Sequence, residues 1–499
     1  MTLLPSEPPS WRLMLTILGV SFSISTPFGF YLTVINVPQS IFEQFVNASF
    51  KHEHSTFMEH TQLQALWSFI VSAFTLGGAV GAVGALPAAE TIGRKYSLFI
   101  VSGTIVLSSI ASSVSSPTQC FELFTVGRFL AGIACGFGSS LLSIYLSEIS
   151  PVALRGFAGG FQEVFLVLGK LLGVLLSLPG ALGTIHLWPI LVSLPCVCAC
   201  LLFIGMPWLP ETPKYQRAKQ RSQMDVARAV RFYHGPDADV DQVVMHIDRE
   251  IEMIQDQAGI RSILHSPLFR KTLIVALVIR IAQEITGVTV IANFSTTLFN
   301  QLGFGDSFAQ WNTVGITALS LLVTMIAVCV VEGLGRRPLL LIGLTGTLIC
   351  LILFMVFALI AERDNQHWAG YICIGLFYLH IILFGIGPGP IPWLIVPELT
   401  PHPVRATATS TSTFMNWIAN LITTAAFLPL TDLWGPWSFL MFQVPLAVCI
   451  VYLWVVLPET MGRPVEHIAA ELDNRESLAY IKRSFHINSG YQHDNQIKC

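Results

Sequence analysis

The sequence has few charged residues and long stretches with none. Asp, Glu, Lys and Arg together make up 11% of the 499 residues, whereas 53% are hydrophobic. Ordinary soluble domains are about 25% charged, because most of their charged residues face water at the surface. With a mean hydropathy of +0.65, the chain cannot be a set of soluble domains, and lipid must form part of its surroundings.

Several functional classes find no support. The net charge is −3, so no basic surplus indicates a nucleic-acid partner. No GxxxxGK[ST] run is present, which argues against a nucleotide partner or ATP drive. The ten cysteines show no zinc-like spacing; most lie in apolar runs, as Cys196, Cys198 and Cys200 do, and are expected to be buried free thiols. We expect no metal, no cofactor and no enzymatic activity.

Apolar runs of membrane-spanning length are abundant. A helix needs about 20 residues to cross a bilayer core, and twelve such runs occur. The run after Trp11 is too long for the apolar core of a cleavable signal peptide, so we expect it to be the first span. The predicted spans lie near 12–34, 63–86, 97–115, 120–143, 157–180, 187–208, 271–297, 309–332, 338–361, 371–395, 407–430 and 436–457.

The runs divide into six and six around one long polar segment. Apolar residues recur there at helical spacing between charges, which predicts amphipathic helices lying against the cytosolic membrane face. The predicted organisation is a cytosolic N-terminus, a six-helix half, a cytosolic linker, a second six-helix half and a cytosolic tail. The corresponding bounds are 1–11, 12–208, 209–270, 271–458 and 459–499.

Three charged motifs occur at corresponding places in the two halves, after the second, fourth and sixth runs. Such repeats indicate parallel halves related by an axis along the membrane normal, as in major facilitator carriers. The predicted fold is therefore all-α, with twelve transmembrane helices in two six-helix halves. The motif pairs are Gly93-Arg94-Lys95 and Gly335-Arg336-Arg337, Glu148-x6-Arg155 and Glu398-x6-Arg405, and Pro210-Glu211-Thr212 and Pro458-Glu459-Thr460.

Basic residues are concentrated in the second, fourth, eighth and tenth loops. Because Lys and Arg are enriched in cytoplasmic loops, we expect both termini in the cytosol and the first loop, 35–62, outside. That loop contains Asn47-Ala48-Ser49, an acceptor pattern for N-glycosylation. Asn47 is therefore predicted to be glycosylated.

Longer motifs lie in order at helix ends over roughly residues 12–465. They are GRK (93–95), VGRFLAG (126–132), YLSEISPVALRG (145–156), PETPKY (210–215), VVEGLGRRPL (330–339), GPGPIPWLIVPEL (387–399), NWIAN (416–420) and PETMGR (458–463). On these motifs the chain resembles the facilitative glucose transporter family, in the sugar-porter branch of the major facilitator superfamily. The resemblance implies facilitated diffusion of a hexose across the plasma membrane by alternating access, by a monomer.

The charged motifs place arginines beside carboxylates at cytoplasmic helix ends. Arg forms bidentate pairs with carboxylates, and pairs across the two halves would close an inner gate that opening inward breaks. The alternative is that these arginines only follow the positive-inside rule. The predicted gate residues are Glu90, Arg94, Glu148, Arg155, Glu332, Arg336, Arg337, Glu398 and Arg405.

The resemblance also implies a sugar site on the fifth, seventh, tenth and eleventh spans. Glu284 and Glu163 stand where the family has Gln, and Thr289 where it has Asn. The segment GIGPGPIPW (385–393) interrupts the tenth span, because Pro breaks helices and broken helices at membrane depth line cavities. Its tryptophan offers a ring face to a sugar, or packs as an ordinary core residue. The predicted substrate-binding residues are Gln162, Glu163, Gln283, Glu284, Thr289, Trp393, Asn416 and Asn420.

Two carboxylates near the bilayer middle are costly and usually functional or paired. Glu163 and Glu284 could pair with Lys170, seven residues after Glu163, and with Arg280, four before Glu284. Alternatively, desolvation could keep them protonated, so that they donate to the sugar or carry a proton. The third interpretation is direct contact with a polar substrate.

The resemblance favours a passive carrier, since Tyr31 stands where proton-linked sugar porters have Asp. The segment VINVPQ (34–39), and Arg280-Ile281-Ala282 in place of the family's Gln-Leu-Ser triplet, favour the fructose-type subgroup over the glucose-type one. The alternatives are a proton-coupled sugar symporter or an organic-anion transporter that uses Glu163, Glu284, Arg280 and Lys170. A further alternative is a sugar sensor with little transport.

Overall fold

The twelve-span helical fold predicted from the sequence is confirmed. A computed structural model describes residues 10–151, 154–236, 238–255, 266–364, 367–400, 405–461, 463, 467–468 and 471–472. Within these ranges, eleven helical stretches are long and apolar enough to cross a membrane, and the last of them, Thr407–Val456, contains two helices. The described residues therefore provide twelve crossings, six on each side of the polar segment.

The first half contains six crossings and one additional helix in its first loop. The added helix buries Phe42 and Phe45 against Trp188, with ring centroids 5.2 and 4.9 Å apart. The sixth crossing changes helix at Leu194, before Pro195. The helices are α1 (Trp11–Thr33), α2 (Gln39–His54), α3 (His60–Thr91), α4 (Arg94–Thr118), α5 (Phe121–Ile149), α6 (Arg155–Leu176), α7 (Trp188–Ser193) and α8 (Pro195–Gly205).

Three short helices occupy the polar segment: α9 (Pro213–Ala218), α10 (Gln223–His234) and α11 (Val240–Gln255). Ser222 caps α10, because its hydroxyl accepts a hydrogen bond from the Asp225 N–H at 3.2 Å. One face of α10 is buried against the first half, where Tyr233 and Tyr145 of α5 share a hydrogen bond of 3.0 Å. We call the end of the molecule that carries α9–α11 the linker end, and the opposite end the α2 end.

The second half repeats the crossings, with two of them interrupted. The predicted span 271–297 is divided at Gly287, and the tenth crossing is divided at the GPGP segment, 387–390. The helices are α12 (Pro267–Glu284), α13 (Val288–Gln301), α14 (Asp306–Leu334), α15 (Arg336–Asp364), α16 (His367–Ile386), α17 (Ile391–Leu399), α18 (Arg405–Trp434) and α19 (Leu440–Val456).

Small residues bring α3 and α5 close together in the first half. A Cβ atom at Gly132 or Gly136 of α5 would overlap the backbone oxygen of Phe74 or Gly78 of α3. Helices in lipid associate largely through such close van der Waals packing, since the surrounding chains are as apolar as leucine. Gly78 of α3 also lies against the Trp417 ring of α18, in the second half.

The two halves are hydrogen-bonded to each other at the α2 end. Asn36, just after α1, donates from Nδ2 to the Ala292 oxygen of α13 at 2.7 Å. The Thr296 N–H donates back to Asn36 Oδ1 at 3.2 Å. Thr297 Oγ1 donates to Gln39 Oε1 at 2.7 Å. These bonds between neutral groups join the first crossing to the broken seventh one.

Candidate substrate site and gate

A polar network surrounds Glu284 at the end of α12. Its Oε1 accepts from Asn416 Nδ2 at 3.2 Å, and its Oε2 accepts from Thr289 Oγ1 at 2.9 Å. Asn420 Nδ2 donates to the same threonine oxygen at 3.3 Å. All four side chains are buried. The structure thus brings together four of the predicted substrate residues from α12, α13 and α18.

The network exists because α12 and α13 do not form one continuous helix. Gly287 has φ +78°, a left-handed conformation that glycine adopts without steric cost. The break lets Glu284 and Thr289, on opposite sides of it, reach each other. A continuous helix over 271–297, as predicted, would not place residues five apart on one face.

Gln283 connects this network to the interrupted tenth crossing. Its Nε2 donates to the Gly389 oxygen at 3.0 Å, a carbonyl within the predicted helix interruption. Its Oε1 accepts from Arg280 Nη1 and from Asn416 Nδ2, each at 3.4 Å. The two broken crossings therefore meet at one glutamine side chain.

Arg280 lies over Trp393 rather than against Glu284. Its guanidinium carbon is 3.7 Å from the Trp393 ring centroid, and the side chain is 1% exposed. The direct Arg280–Glu284 pair considered from the sequence is not formed, because the guanidinium stacks on the indole while Asn416 and Thr289 take the carboxylate. One face of Trp393, predicted to meet sugar, is thus covered by a cation.

The predicted residues of α6 are arranged differently. Gln162 is bonded within the first half, accepting from Ser143 Oγ at 2.9 Å and donating to the Ser139 oxygen at 3.2 Å. Glu163 and Lys170 are half-buried, and neither side chain has a hydrogen bond or ion pair to any described residue. Both interact electrostatically with charges across the centre: Glu163 with Arg280, and Lys170 with Glu284.

Aromatic rings complete the boundary between the halves. Trp417 of α18 stacks on Phe28 of α1 at 5.5 Å and meets Phe74 of α3 edge-on at 6.2 Å. Sequence reasoning did not single out Phe28 or Phe74. With 33 phenylalanines in the chain, no local pattern distinguishes these two from lipid-facing ones.

At the linker end, the first-half motifs form one connected cluster. Arg94 donates through Nη2 to Glu148 Oε1 at 2.6 Å, and Thr212 Oγ1 donates to Glu148 Oε2 at 2.6 Å. Glu211 accepts the Lys95 N–H at 3.1 Å, at the start of α4. Burial raises the pKa of Glu211, against the backbone N–H groups of Thr212 and Lys95, which lower it.

The second half repeats this cluster. Arg336 Nε lies 3.5 Å from Glu398 Oε1, and Thr460 Oγ1 donates to Glu398 Oε2. Glu459 accepts the N–H groups of Arg336 and Arg337 at 3.0 and 3.1 Å, at the start of α15. Burial acts to raise the pKa of Glu459, but backbone N–H donors at Met461, Arg336, Arg337 and Thr460 together lower it below its ordinary value.

The gate pairs predicted between the halves are not those found among the described residues. Arg94 and Arg336 each pair inside their own half. Arg155 pairs with Glu250 of α11 at 2.9 Å, and Lys214 shares that carboxylate at 2.9 Å. The physical reason is proximity: in this conformation the linker helix and the neighbouring helix of the same half are the nearest sources of carboxylate.

The remaining gate predictions differ in their surroundings. Arg405 Nε donates to the Thr400 oxygen at 3.4 Å, and Arg337 Nη2 to the Trp454 oxygen at 2.7 Å. Glu90 is exposed, with no ion pair to a described residue. The side chain of Glu332 lies outside the described residues.

Asn47 lies on α2, in a half-buried position. Its Oδ1 accepts the Met58 N–H at 3.0 Å. Ser49, the third residue of the acceptor pattern, is buried and donates to the Gln119 oxygen at 2.6 Å. Glycosylation of Asn47 therefore stays a prediction.

Comparison with known proteins gives consistent matches along the chain. The family model described as "Sugar (and other) transporter" matches residues 17–472. Human solute carrier family 2, facilitated glucose transporter member 4, is 31% identical over 481 residues, covering 95% of this chain and 94% of the relative. Facilitated glucose transporter protein 1 of Caenorhabditis elegans is 29% identical over 462 residues, covering 91% and 89%.

Solved structures match in fold. The proton:xylose symporter XylE bound to 6-bromo-6-deoxy-D-glucose aligns with a TM-score of 0.74 at 20% identity, covering 92% of this chain and 98% of that one. The inward-open conformation of XylE from E. coli aligns with a TM-score of 0.74 at 19% identity, covering 92% and 99%. At these identities the likeness concerns the arrangement of helices alone.

Proposed function

Because the chain belongs to the sugar (and other) transporter family, we propose that it is a facilitative uniporter that carries a hexose across the plasma membrane by alternating access. The observation on which the proposal chiefly rests is the Glu284 network, where amide, hydroxyl and carboxylate groups meet at the broken ends of α12 and α13. The relatives named as facilitated glucose transporters support the choice of a hexose.

The chemistry of the network suits a molecule with several hydroxyl groups. Asn416 Oδ1 receives no hydrogen bond from the described residues, so it is free to accept one. The carboxylate of Glu284 accepts one bond on each oxygen and has lone pairs for more. Hydroxyl groups can donate to these acceptors.

The contacts between the halves support an alternating mechanism. Asn36 and Gln39 close the α2 end, whereas at the linker end Arg94 and Arg336 pair with carboxylates of their own halves. This combination corresponds to a state that opens at the linker end. If the linker faces the cytosol, as the positive-inside pattern indicates, this state is inward-facing. Pairs across the halves at the gate residues would then belong to the opposite, outward-facing state.

Tyr31 supports transport without proton coupling. Its hydroxyl lies 3.2 Å from Ser109 Oγ, and its backbone oxygen accepts from Arg128 Nη1 at 2.8 Å. The side chain is buried. A phenol held in this way is a poor proton carrier at neutral pH. The competing proton-coupled mechanism would have to use Glu163 or Glu284.

Uptake into proteoliposomes containing the full chain tests the proposal. Labelled D-glucose and D-fructose should equilibrate to the same internal concentration with and without an inward proton gradient. Accumulation above the external concentration that requires the gradient would contradict uniport. Absence of uptake of both sugars, by protein that elutes as a single species and retains its helical circular dichroism, would contradict hexose transport.

A further inference from the structure

Near the centre of the molecule, two cationic side chains have donors without an acceptor among the described residues. Lys170 makes no hydrogen bond or ion pair with its ammonium among the described residues, although its backbone oxygen accepts from Thr33 at 2.8 Å. Arg280 Nε is buried with no acceptor among the described residues, and Arg280 Nη1 donates to Gln283 Oε1 at 3.4 Å. A buried donor without an acceptor costs free energy, so Arg280 calls for an acceptor that the described residues do not supply. The ammonium of Lys170 is only half-buried and can bind an added acceptor.

Of the two central carboxylates, Glu284 has hydrogen-bond donors, whereas Glu163 has none among the described residues. Both oxygens of Glu284 already accept hydrogen bonds, from Asn416 and Thr289. Glu163 alone lacks a donor among the described residues, and it interacts with both Lys170 and Arg280 electrostatically. Among these four charged side chains, the fully buried atom left without a partner among the described residues is Arg280 Nε, a cationic donor, and this favours a ligand that brings negative charge.

Lys170 is the cation that can reach such a ligand. It is half-buried, whereas Arg280 is 1% exposed beneath Trp393. Lys170 and Glu163 lie seven residues apart on α6, which is about 10 Å along the helix axis. A pyranose ring with a charged substituent at one end is of comparable length. The Glu284 network faces them from the other half, as the interaction of Lys170 with Glu284 indicates.

We propose that the preferred cargo is a sugar acid, a monosaccharide whose carboxylate binds the ammonium of Lys170 while its hydroxyl groups bind the Glu284 network and Glu163. The inference rests on the proposed sugar transport and assigns a substrate class to the same site. Arg280 contributes positive potential from below the surface rather than a direct contact. A charge-assisted hydrogen bond of this kind is about twice as strong as a neutral one.

The test is competition in proteoliposomes containing the full chain at pH 7, without a pH gradient. D-glucuronate, D-glucose and D-glucosamine have similar rings and carry negative, zero and positive charge. We expect glucuronate uptake to reach half its maximum at a concentration about tenfold lower than glucose uptake does. We expect glucosamine to compete for transport more weakly than glucose does. Equal or weaker competition by glucuronate, or stronger competition by glucosamine, would overturn the assignment.

Substitutions test whether Lys170 causes the preference for glucuronate over glucose. Lys170→Gln should reduce the glucuronate-to-glucose ratio to about one, Lys170→Arg should retain most of it, and Glu163→Gln should increase it by removing a like charge. Lys219→Gln, in the linker segment, serves as the matched control and should leave the ratio unchanged. A ratio that is insensitive to Lys170→Gln would refute the role of Lys170.

The two proposals fail in different ways. If glucose is transported but glucuronate is not, the sugar-acid assignment fails and hexose transport stands. If neither is transported by correctly folded protein, the proposed function itself fails. Using the ratio between two sugars in one preparation separates a change in recognition from a loss of folded protein.

Discussion

Glu284 is a buried carboxylate whose hydrogen-bond donors are neutral groups. Asn416 and Thr289 hold it, and the nearby guanidinium of Arg280 stacks on Trp393 instead. Carboxylates buried without direct counter-ions are costly unless hydrogen bonds satisfy them. The arrangement leaves the carboxylate oriented but not neutralised, which suits its proposed binding of sugar hydroxyl groups.

Asn416→Ala tests this arrangement. The substitution removes the donor to Glu284 Oε1 and to the Arg280 oxygen, at 3.2 and 3.0 Å. Losing a hydrogen bond to a charged group costs about 1.5–3 kcal/mol, so the dissociation constant for the transported sugar should rise roughly tenfold or more.

Equilibrium binding of labelled sugar to purified protein measures the effect. Asn312→Ala is the matched control, because the half-buried Asn312 side chain donates within its own helix, to the Phe308 oxygen at 2.9 Å. Unchanged affinity in Asn416→Ala would remove that residue from the site.

Single residues show how far the sequence alone could lead. Gln283, Glu284, Asn416 and Asn420 could be named from the resemblance, because motif positions carry over one by one. The partner of Arg280 could not be predicted, because its flexible guanidinium has both a carboxylate and an indole within reach. Which one it selects depends on the tertiary arrangement of α12 and α17, and helical spacing does not contain that information.

At the scale of helices, two related turns start α4 and α15. Gly93 and Gly335 precede them with φ +98° and +88°, so each position needs a residue that tolerates positive φ. Glu211 and Glu459 then accept the first N–H groups of the two helices. A carboxylate at a helix N-terminus is favourable because it satisfies unpaired N–H groups and meets the positive end of the helix dipole.

Glu459→Gln and Glu211→Gln should differ in their effect on stability. The lowered pKa of Glu459 means that its ionised form stabilises the fold at pH above the ordinary value of 4.5, and that this stabilisation is lost as pH falls through the lowered pKa. The raised pKa of Glu211 has the opposite sign, so its contribution is present below 4.5 and is lost as pH rises through the raised pKa.

Thermal unfolding of the two variants in detergent checks this difference. At pH 7, Glu459→Gln should lower the melting temperature by more than Glu211→Gln does, and the gap should narrow as the pH approaches 4. Equal losses at pH 7, or a gap that widens on acidification, would contradict the assigned pKa directions.

Helix boundaries could be predicted where residue composition determines them, but not where they depend on a few tertiary contacts. Apolar runs of about 20 residues reveal the crossings because lipid imposes both length and composition. The break at Gly287 was missed because one glycine inside an apolar run is also compatible with a continuous helix. Helix α2 was missed because its Phe42 and Phe45 find their partner, Trp188, far along the chain.

At the scale of the whole molecule, the structure is held closed at the α2 end by Asn36 and Gln39. Asn36→Ala removes both its donor and its acceptor to α13. Each net hydrogen bond contributes about 1 kcal/mol, so the population open at the α2 end should increase several-fold or more.

Hydrogen–deuterium exchange of the protein in nanodiscs detects that shift as faster exchange in α13 and in the end of α1. The same control, Asn312→Ala, should leave both segments unchanged. Exchange in α13 that matches the unsubstituted protein would mean that the bonds of Asn36 do not hold the halves together.

The two ends of the molecule differ in what joins their parts, and that difference should appear in the dependence of transport on ionic strength. Neutral amide and hydroxyl groups close the α2 end, whereas partly exposed ion pairs such as Arg155–Glu250, with side chains 36% and 21% exposed, hold the linker helices to the first half. Salt screens exposed charges over about 8 Å at physiological concentration and has little effect on neutral hydrogen bonds. Electrolyte added to the compartment that faces the linker should therefore change the rate of only those steps in which the linker end rearranges, and the same addition on the other side of the membrane should leave the cycle unaltered.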